Sequence, residues 1–150
     1  MYLYLHIPFC KSKCIYCDFA VVLYKYGGQQ AYVDAACQEI QARFKNIPPQ
    51  PITTLYVGGG TPSLLPASLY QQIFDCLNQY TTSADNVEIT LEINPEAMAD
   101  DSAAYRALGF NRVSVGIQSF DDAELKKLSR IHTAQHAIDA IHRLNKAGFN

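Results

Sequence analysis

The chain has 150 residues, enough for one compact domain with a hydrophobic core. Its formal net charge is -2, so no basic footprint indicates a nucleic-acid partner. We expect no transmembrane segment, because no apolar run approaches the roughly 20 residues that span a bilayer, and the N-terminus does not have the pattern of a signal peptide. Five cysteines, three of them clustered, fit a reducing compartment better than a disulfide framework, so we expect a cytoplasmic protein.

In chain order, hydrophobic patterns predict strands alternating with helices. Runs of β-branched and alternating apolar residues predict strands at 2–7, 52–57, 87–93 and 112–117. Apolar residues at helical spacing, with glycine and proline as breakers, predict the helices. These cover the segment between Gly28 and Pro48, 66–80, 101–108, 122–128 and 134–146. On the first helix we expect Val33, Cys37, Ile40 and Phe44 to face the core, and on the second Leu69, Ile73, Cys76 (or Leu77) and Tyr80.

This alternation predicts an α/β fold with a parallel sheet of about four βα units. Residues 107–111 end one helix and lead into a strand, and 146–150 repeat them almost word for word. A fifth strand would be expected to follow, so we expect the N-terminal part of a longer protein. Four strands cannot close a barrel, so an open sheet edge is predicted.

Cys10, Cys14 and Cys17 form the densest chemical signal in the chain. Three thiolates at this spacing can hold three corners of an iron–sulfur cluster and leave one iron without a protein ligand. Two alternatives stay open: a structural zinc site completed by His6, or cysteines that pack without a metal. The other two cysteines, Cys37 and Cys76, are predicted to be ordinary core residues.

The motif Cys-x3-Cys-x2-Cys, with Tyr16 before the third cysteine, resembles the signature of the radical S-adenosylmethionine superfamily. The strings at 4–10 (YLHIPFC) and 58–63 (GGGTPS) resemble its coproporphyrinogen dehydrogenase and haem chaperone branch. The resemblance implies that residues 1–150 are the incomplete, N-terminal portion of a partial (β/α)6 radical SAM barrel. It also implies a 4Fe–4S cluster on the three cysteines and S-adenosylmethionine on the open iron, cleaved to a 5′-deoxyadenosyl radical. The cofactor carries that chemistry, so no side chain is assigned as catalytic.

Several residues after predicted strands would then form a cofactor cradle, because barrel sites are built at the C-terminal ends of strands. By resemblance, Gly59 offers its backbone to the methionine amino group, with Gly60 and Thr61 beside it. Glu92 would meet the ammonium group, since a barrel-facing carboxylate needs a partner. The alternatives are a simple turn for the glycines and a solvated carboxylate for Glu92.

The remaining cradle residues follow the fourth strand or belong to the cysteine region. Gln118 suits ribose hydroxyls, and Arg130 can pair with the methionine carboxylate. By resemblance, Tyr4 lies below the cofactor near the cluster and Tyr16 faces the adenine. Surface positions remain open for Gln118 and Arg130, as does a core role for Tyr4. The family often has glycine where Ser129 stands. His132 shows no metal-ligand pattern, and neither do His136 and His142, which are predicted on a helix surface.

Phe19 separates two functions within the branch. Dehydrogenases of this type have a fourth cysteine at that place, whereas the haem chaperones have phenylalanine. The dehydrogenases also have a long segment before the Tyr-x-His motif, whereas this chain has three residues there. The resemblance therefore favours a haem chaperone that binds haem as cargo for respiratory proteins, with an electron donor such as flavodoxin. The alternatives are an oxygen-independent coproporphyrinogen III dehydrogenase and a zinc-stabilised fold without redox chemistry.

Overall fold

The protein forms a four-stranded parallel sheet with helices packed on one face. The structure, a computed structural model, describes residues 1–97 and 102–149. Its strands are β1 (Tyr2–Ile7), β2 (Phe9–Cys10), β3 (Val22–Leu23), β4 (Ile52–Gly59), β5 (Ser83–Ile93) and β6 (Arg112–Val115). Its helices are α1 (Gln29–Phe44), α2 (Ala67–Leu77), α3 (Ser102–Ala107), α4 (Asp122–Lys127) and α5 (Ala134–Lys146). Short 3-10 segments cover Tyr24–Tyr26, Pro62–Leu64 and Pro95–Ala97.

The main sheet confirms the predicted α/β fold and its parallel pairing. Its strand order is β1–β4–β5–β6, which is the order of these strands along the chain. Within the described residues, β1 and β6 each pair with one neighbour, so both lie at open edges. None of the described helices is long and apolar enough to cross a membrane.

The two faces of this sheet have opposite chemistry. The register aligns Tyr4 with Tyr56, Tyr56 with Thr90, and Thr90 with Arg112, so these polar side chains share one face. On the other face Leu55, Val57, Leu91 and Ile93 are buried in the hydrophobic core. The apolar face is therefore covered by helices, and the polar face is the one that carries chemistry.

Helix α2 packs on the apolar face and fixes the loop after β4. The predicted core position Ile73 is buried, and so is Leu77, the predicted alternative to Cys76. Tyr70 and Phe74 are buried as well and were not predicted, whereas Leu69, Cys76 and Tyr80 are half-buried. The Tyr70 ring contacts Tyr105 and Phe110 across the core, and the Phe74 ring contacts Phe110. The Tyr70 hydroxyl donates a hydrogen bond to the Pro62 carbonyl at 2.9 Å. The Tyr105 hydroxyl donates to the Leu65 carbonyl at 2.9 Å, so two buried phenols hold the loop.

Several element boundaries differ from the sequence prediction. Strand β6 ends at Val115 and not at 117, because β5 ends before Asn94-Pro95 and offers no further partner. The short pair β2–β3 was not predicted, since two residues are too few to form a pattern. Strand β4 extends to Gly59, beyond the predicted end at 57, and β5 begins at Ser83, before the predicted start at 87. Helix α3 is described from Ser102, and the predicted start at Asp101 lies outside the described residues.

Candidate functional site

A cavity of about 360 Å³ lies at the C-terminal edge of the main sheet. It is formed by the cysteine loop and by the segments that follow β4, β5 and β6. Every predicted site residue except Tyr4 lines it: Cys10, Cys14, Tyr16, Cys17, Gly59, Gly60, Thr61, Glu92, Gln118 and Arg130. Elements far apart in the chain thus converge on one place, as expected for the carboxyl ends of parallel strands.

The cysteine loop is closed at its base and tied to the sheet. Cys10 lies in β2, which pairs with β3, and the Val22 amide donates to the Pro8 carbonyl at 2.8 Å. At the far end the Cys17 amide donates to the Cys14 carbonyl at 3.1 Å, which forms a turn. Lys11 Nζ donates to the Glu96 carbonyl at 2.8 Å. These contacts direct three thiols towards the same cavity from a loop with little regular structure.

The three thiols differ in environment. Cys10 is buried, and this burial raises the pKa of its thiol, while a hydrogen bond from the Thr61 hydroxyl at 3.7 Å favours the thiolate. Asn94 Nδ2 in turn donates to that hydroxyl at 3.0 Å. Cys14 receives Arg130 Nη1 at 3.6 Å. Among the described residues, no group of three or more His, Cys, Asp or Glu side chains is gathered tightly enough to hold a metal ion as it stands.

The geometry around His6 bears on the zinc alternative. The His6 ring lies 3.1 Å from the Tyr4 hydroxyl through Nδ1 and 3.1 Å from the Ala20 carbonyl through Nε2. Both ring nitrogens are therefore engaged, and His6 lines a separate groove along β1 and α1. As a zinc ligand, His6 would have to give up at least one of these contacts, because each ring nitrogen is engaged.

Two of the three glycines are required by close packing, Gly60 against the cysteine strand β2 and Gly59 against β1. A Cβ atom on Gly60 would lie 2.9 Å from Cys10 Sγ and 2.8 Å from the Phe9 carbonyl oxygen. A Cβ on Gly59 would lie 2.8 Å from the His6 ring, and the φ angle of Gly59 is +119°. The glycines therefore let β4 and its following turn approach β1 and β2 closely. The sequence interpretation considered a close approach to a ligand or a simple turn, and not this packing.

Glu92 is held from two sides on the polar face. The Tyr56 hydroxyl donates to Glu92 Oε1 at 2.7 Å, and the Gly59 amide donates to Oε2 at 3.0 Å. Burial and the neighbouring carboxylate raise the pKa of Tyr56, which keeps this hydroxyl protonated as a donor. Tyr4 lies outside the cavity and stacks on Tyr56 with ring centroids 6.1 Å apart. Tyr4 therefore reaches the site through Tyr56 and Glu92.

Arg130 enters the cavity from a tight turn at the end of α4. Its amide donates to the Leu125 carbonyl at 2.9 Å, and the Ser129 amide donates to the Lys126 carbonyl at 3.1 Å. This is a Schellman motif, with Ser129 in the left-handed position at φ +57°. Arg130 Nη2 donates to the Gly116 carbonyl at 2.8 Å. Within the described part of the chain, the buried Nε atom of Arg130 has no hydrogen-bond partner.

Two residues behind Arg130 were missed by sequence reasoning. Glu96 Oε2 lies 3.6 Å from Arg130 Nη2 and 3.1 Å from His132 Nδ1. His132 is buried, whereas His136 and His142 are exposed on α5 as predicted. The apolar neighbours of His132 in the sequence gave no sign of burial, but its spacing of two residues from Arg130 could have suggested a shared loop.

Three further residues line the cavity: Tyr16, Phe19 and Gln118. Gln118 does not end a strand as predicted: it lies three residues beyond β6 in a left-handed conformation at φ +67°. Tyr16 lies near Cys14 and Arg130, and burial raises the pKa of its hydroxyl. Phe19 is largely exposed and lines the cavity next to the cysteines.

The parallel sheet, with three cysteines converging at its C-terminal edge, defines an α/β protein with a three-cysteine site. The sequence model of the radical SAM superfamily matches residues 4–150. The chain therefore belongs to the radical SAM superfamily.

Individual relatives narrow this membership. The chain is 37% identical over 147 residues to the heme chaperone HemW of Lactococcus lactis, covering 97% of this chain and 38% of that protein. It is 39% identical over 152 residues to HemW of Haemophilus influenzae, covering 97% and 40%. The solved structure of the coproporphyrinogen III oxidase HemN from Escherichia coli, a radical SAM enzyme, matches with a TM-score of 0.90 and 28% identity over 99% of this chain and 35% of that chain. The chain thus spans about two fifths of the length of the curated relatives that it matches.

Proposed function

We propose that this chain is the cluster-binding and S-adenosylmethionine-binding part of a haem chaperone. The observation that carries the proposal is one cavity wall with three thiols and two opposite charges, Glu92 and Arg130. Thiolates are the ligands that iron–sulfur clusters take, and Cys10, Cys14 and Cys17 supply three of the usual four. An iron without a protein ligand leaves a place for the amino and carboxylate groups of S-adenosylmethionine.

The side chains around the thiols fit a zwitterionic ligand. Glu92 is preorganised by Tyr56 and the Gly59 amide, and its carboxylate would accept a hydrogen bond from the ligand's amino group. The unpartnered Nε of Arg130 would donate to the ligand's carboxylate. When bound, the cluster supplies the electron that cleaves S-adenosylmethionine reductively.

The adenosine part of the ligand would lie farther along the same wall. Gln118 can bond ribose hydroxyls from the turn after β6, and Tyr16 offers an aromatic face to adenine. Gly60 and Thr61 form the wall nearest Cys10, and Thr61 also holds the sulfur of that cysteine. Tyr4 would act through Tyr56, on which it stacks, rather than by touching the ligand. The chain's own work is to bind, orient and exclude water.

Phe19 supports the chaperone over the dehydrogenase. This ring lines the cavity beside the cysteines, at the place where the dehydrogenases have a fourth cysteine. Two of the most similar relatives are named heme chaperones. We therefore propose haem as the cargo, respiratory haem proteins as recipients, a donor such as flavodoxin and a cytoplasmic location.

The structural likeness to HemN favours a second candidate, oxidative decarboxylation of coproporphyrinogen III. One experiment separates the two. The intact protein is reconstituted with iron and sulfide without oxygen, then given haem or coproporphyrinogen III with S-adenosylmethionine and reductant. The chaperone proposal predicts a saturable change in the haem absorbance spectrum and no protoporphyrinogen by chromatography. Conversion of coproporphyrinogen III would establish the second candidate instead.

A further inference from the structure

Glu96, Arg130 and His132 form a buried charged cluster at the cavity wall: Glu96 and Arg130 line the cavity, and His132 lies behind them. The exposed fractions of their side chains are 13%, 5% and 0%. Glu96 follows β5 and the other two follow α4, so the fold brings them together from separate segments. A buried charge is costly unless it has a partner of opposite sign. The protonation states of Glu96 and His132 therefore decide whether Arg130 is left to bind an anion.

Both ring nitrogens of His132 face acceptors. Nδ1 lies 3.1 Å from Glu96 Oε2, and Nε2 lies 3.0 Å from the Ile117 carbonyl oxygen. A neutral imidazole with an ionised Glu96 has one N–H, so one of these contacts would set two lone pairs against each other. The arrangement is satisfied by an imidazolium with a carboxylate, or by a neutral imidazole with a protonated Glu96. In both cases the Glu96–His132 pair has zero net charge.

This balance leaves Arg130 without a carboxylate of its own to pair with. Glu96 is 3.6 Å from Arg130 Nη2, but its charge is already offset by the proton shared with His132. The other acceptors of the guanidinium are the neutral Gly116 carbonyl and the Cys14 sulfur. Among the described residues its buried Nε has no partner, and Arg130 lines the cavity. The site thus holds a positive charge and a donor that an anionic ligand group would satisfy.

We propose that His132 is a positioning residue that offsets the charge of Glu96 and so reserves Arg130 for the carboxylate of the bound ligand. This inference rests on the proposed function, in which that carboxylate belongs to S-adenosylmethionine. Without His132, Glu96 would be free to pair with Arg130 at close range and compete with the ligand. His132 touches neither the ligand nor the thiols; it acts through Glu96.

The test compares two ligands that differ in one group, S-adenosylmethionine and decarboxylated S-adenosylmethionine. Their dissociation constants are measured on the intact, cluster-loaded protein by calorimetry. His132→Asn keeps a hydrogen-bond donor near Glu96, but asparagine cannot carry a positive charge. We therefore expect S-adenosylmethionine to bind about tenfold more weakly. The same variant should bind decarboxylated S-adenosylmethionine with a dissociation constant within about twofold of the wild-type value, because this ligand has no carboxylate to pair with Arg130. Adding Glu96→Gln to His132→Asn removes the competing charge and should restore S-adenosylmethionine affinity to within about threefold. His142→Asn, on the exposed face of α5, is the matched control and should change neither constant.

Other outcomes overturn the inference. Equal weakening of both ligands by His132→Asn, or further weakening by the added Glu96→Gln, would mean that the cluster only supports the fold. If the His132→Asn protein fails to load iron, the single variant Glu96→Gln becomes the test. It should still bind S-adenosylmethionine more tightly than the decarboxylated ligand. Loss of that preference would refute charge balance. A wild-type protein that binds both ligands equally would overturn the role of Arg130 in the proposed function, and this inference with it.

Discussion

Gly60→Ala tests how closely the turn after β4 and the cysteine strand must approach. The new Cβ atom would lie 2.9 Å from Cys10 Sγ, 2.8 Å from the Phe9 carbonyl oxygen and 2.9 Å from the Pro8 carbonyl carbon. Ordinary contacts begin near 3.4 Å, so the two segments must separate by roughly 0.5 Å. Two of the three atoms belong to the backbone, so no rotamer change relieves the overlap. Overpacking of this kind costs about 1–3 kcal/mol.

We expect this cost to appear in iron binding, because the displaced segment carries Cys10. A cost of that size weakens cluster binding by about 5- to 150-fold. The assay is iron per chain after anaerobic reconstitution under limiting iron, with chemical unfolding measured in parallel. Gly27→Ala is the control: its φ is +73°, so alanine is strained there, but no atom lies within 4 Å of the new Cβ. It should lower stability without lowering iron content. A Gly60→Ala protein that loads iron like the wild type would refute the reasoning.

Three further predictions use the same region and its surroundings. Ser129→Gly should raise the free energy of unfolding by about 0.5–1 kcal/mol in thermal melts, because glycine adopts the left-handed conformation without the Cβ penalty; an unchanged or lower melting temperature would contradict this. Tyr56→Phe removes a donor from Glu92 and should weaken S-adenosylmethionine binding about three- to tenfold by calorimetry, whereas unchanged affinity would argue against Glu92 as the ammonium partner. Burial, with the neighbouring Cys76 thiol, raises the pKa of Cys37 to about 11, so at pH 8 about one molecule in a thousand is thiolate. Iodoacetamide should therefore label Cys37 slowly, with a rate that rises about tenfold per pH unit up to about pH 11, as followed by mass spectrometry; labelling at pH 8 as fast as that of free cysteine would be inconsistent with this pKa.

The main sheet could be predicted because each strand has a clear pattern and a breaker at its end. Its two faces explain why: residues such as Leu91 and Ile93 alternate with Thr90 and Glu92, so one strand signals both burial and chemistry. On helix α2 the buried positions Ile73 and Leu77 were predicted, but Tyr70 and Phe74 were not, since aromatic residues at neighbouring positions make more than one face of the helix look apolar. Tyr70 is buried because its ring fills the core while its hydroxyl donates a hydrogen bond to the Pro62 carbonyl.

The site was predictable where a residue type has few other uses, and less so where contacts decide its role. Three cysteines at close spacing point to one cavity, and the structure brings them to it. Tyr4 was expected near the cofactor, but its position in the edge strand directs it onto Tyr56, a contact set by strand register. Glu96 and His132 look like surface residues in the sequence. Their burial depends on how two loops meet, which no local pattern encodes.

The central claim is that Cys10, Cys14 and Cys17 hold a cluster with one iron open to S-adenosylmethionine. The most direct measurement is electron paramagnetic resonance of the reduced, reconstituted intact protein, with and without S-adenosylmethionine. The account predicts close to four irons per chain and a spectrum that shifts when the ligand is added. Cys14→Ala should abolish both, and Cys37→Ala should abolish neither. Tightly bound zinc in place of iron, or a cluster whose spectrum does not respond to S-adenosylmethionine, would contradict the claim.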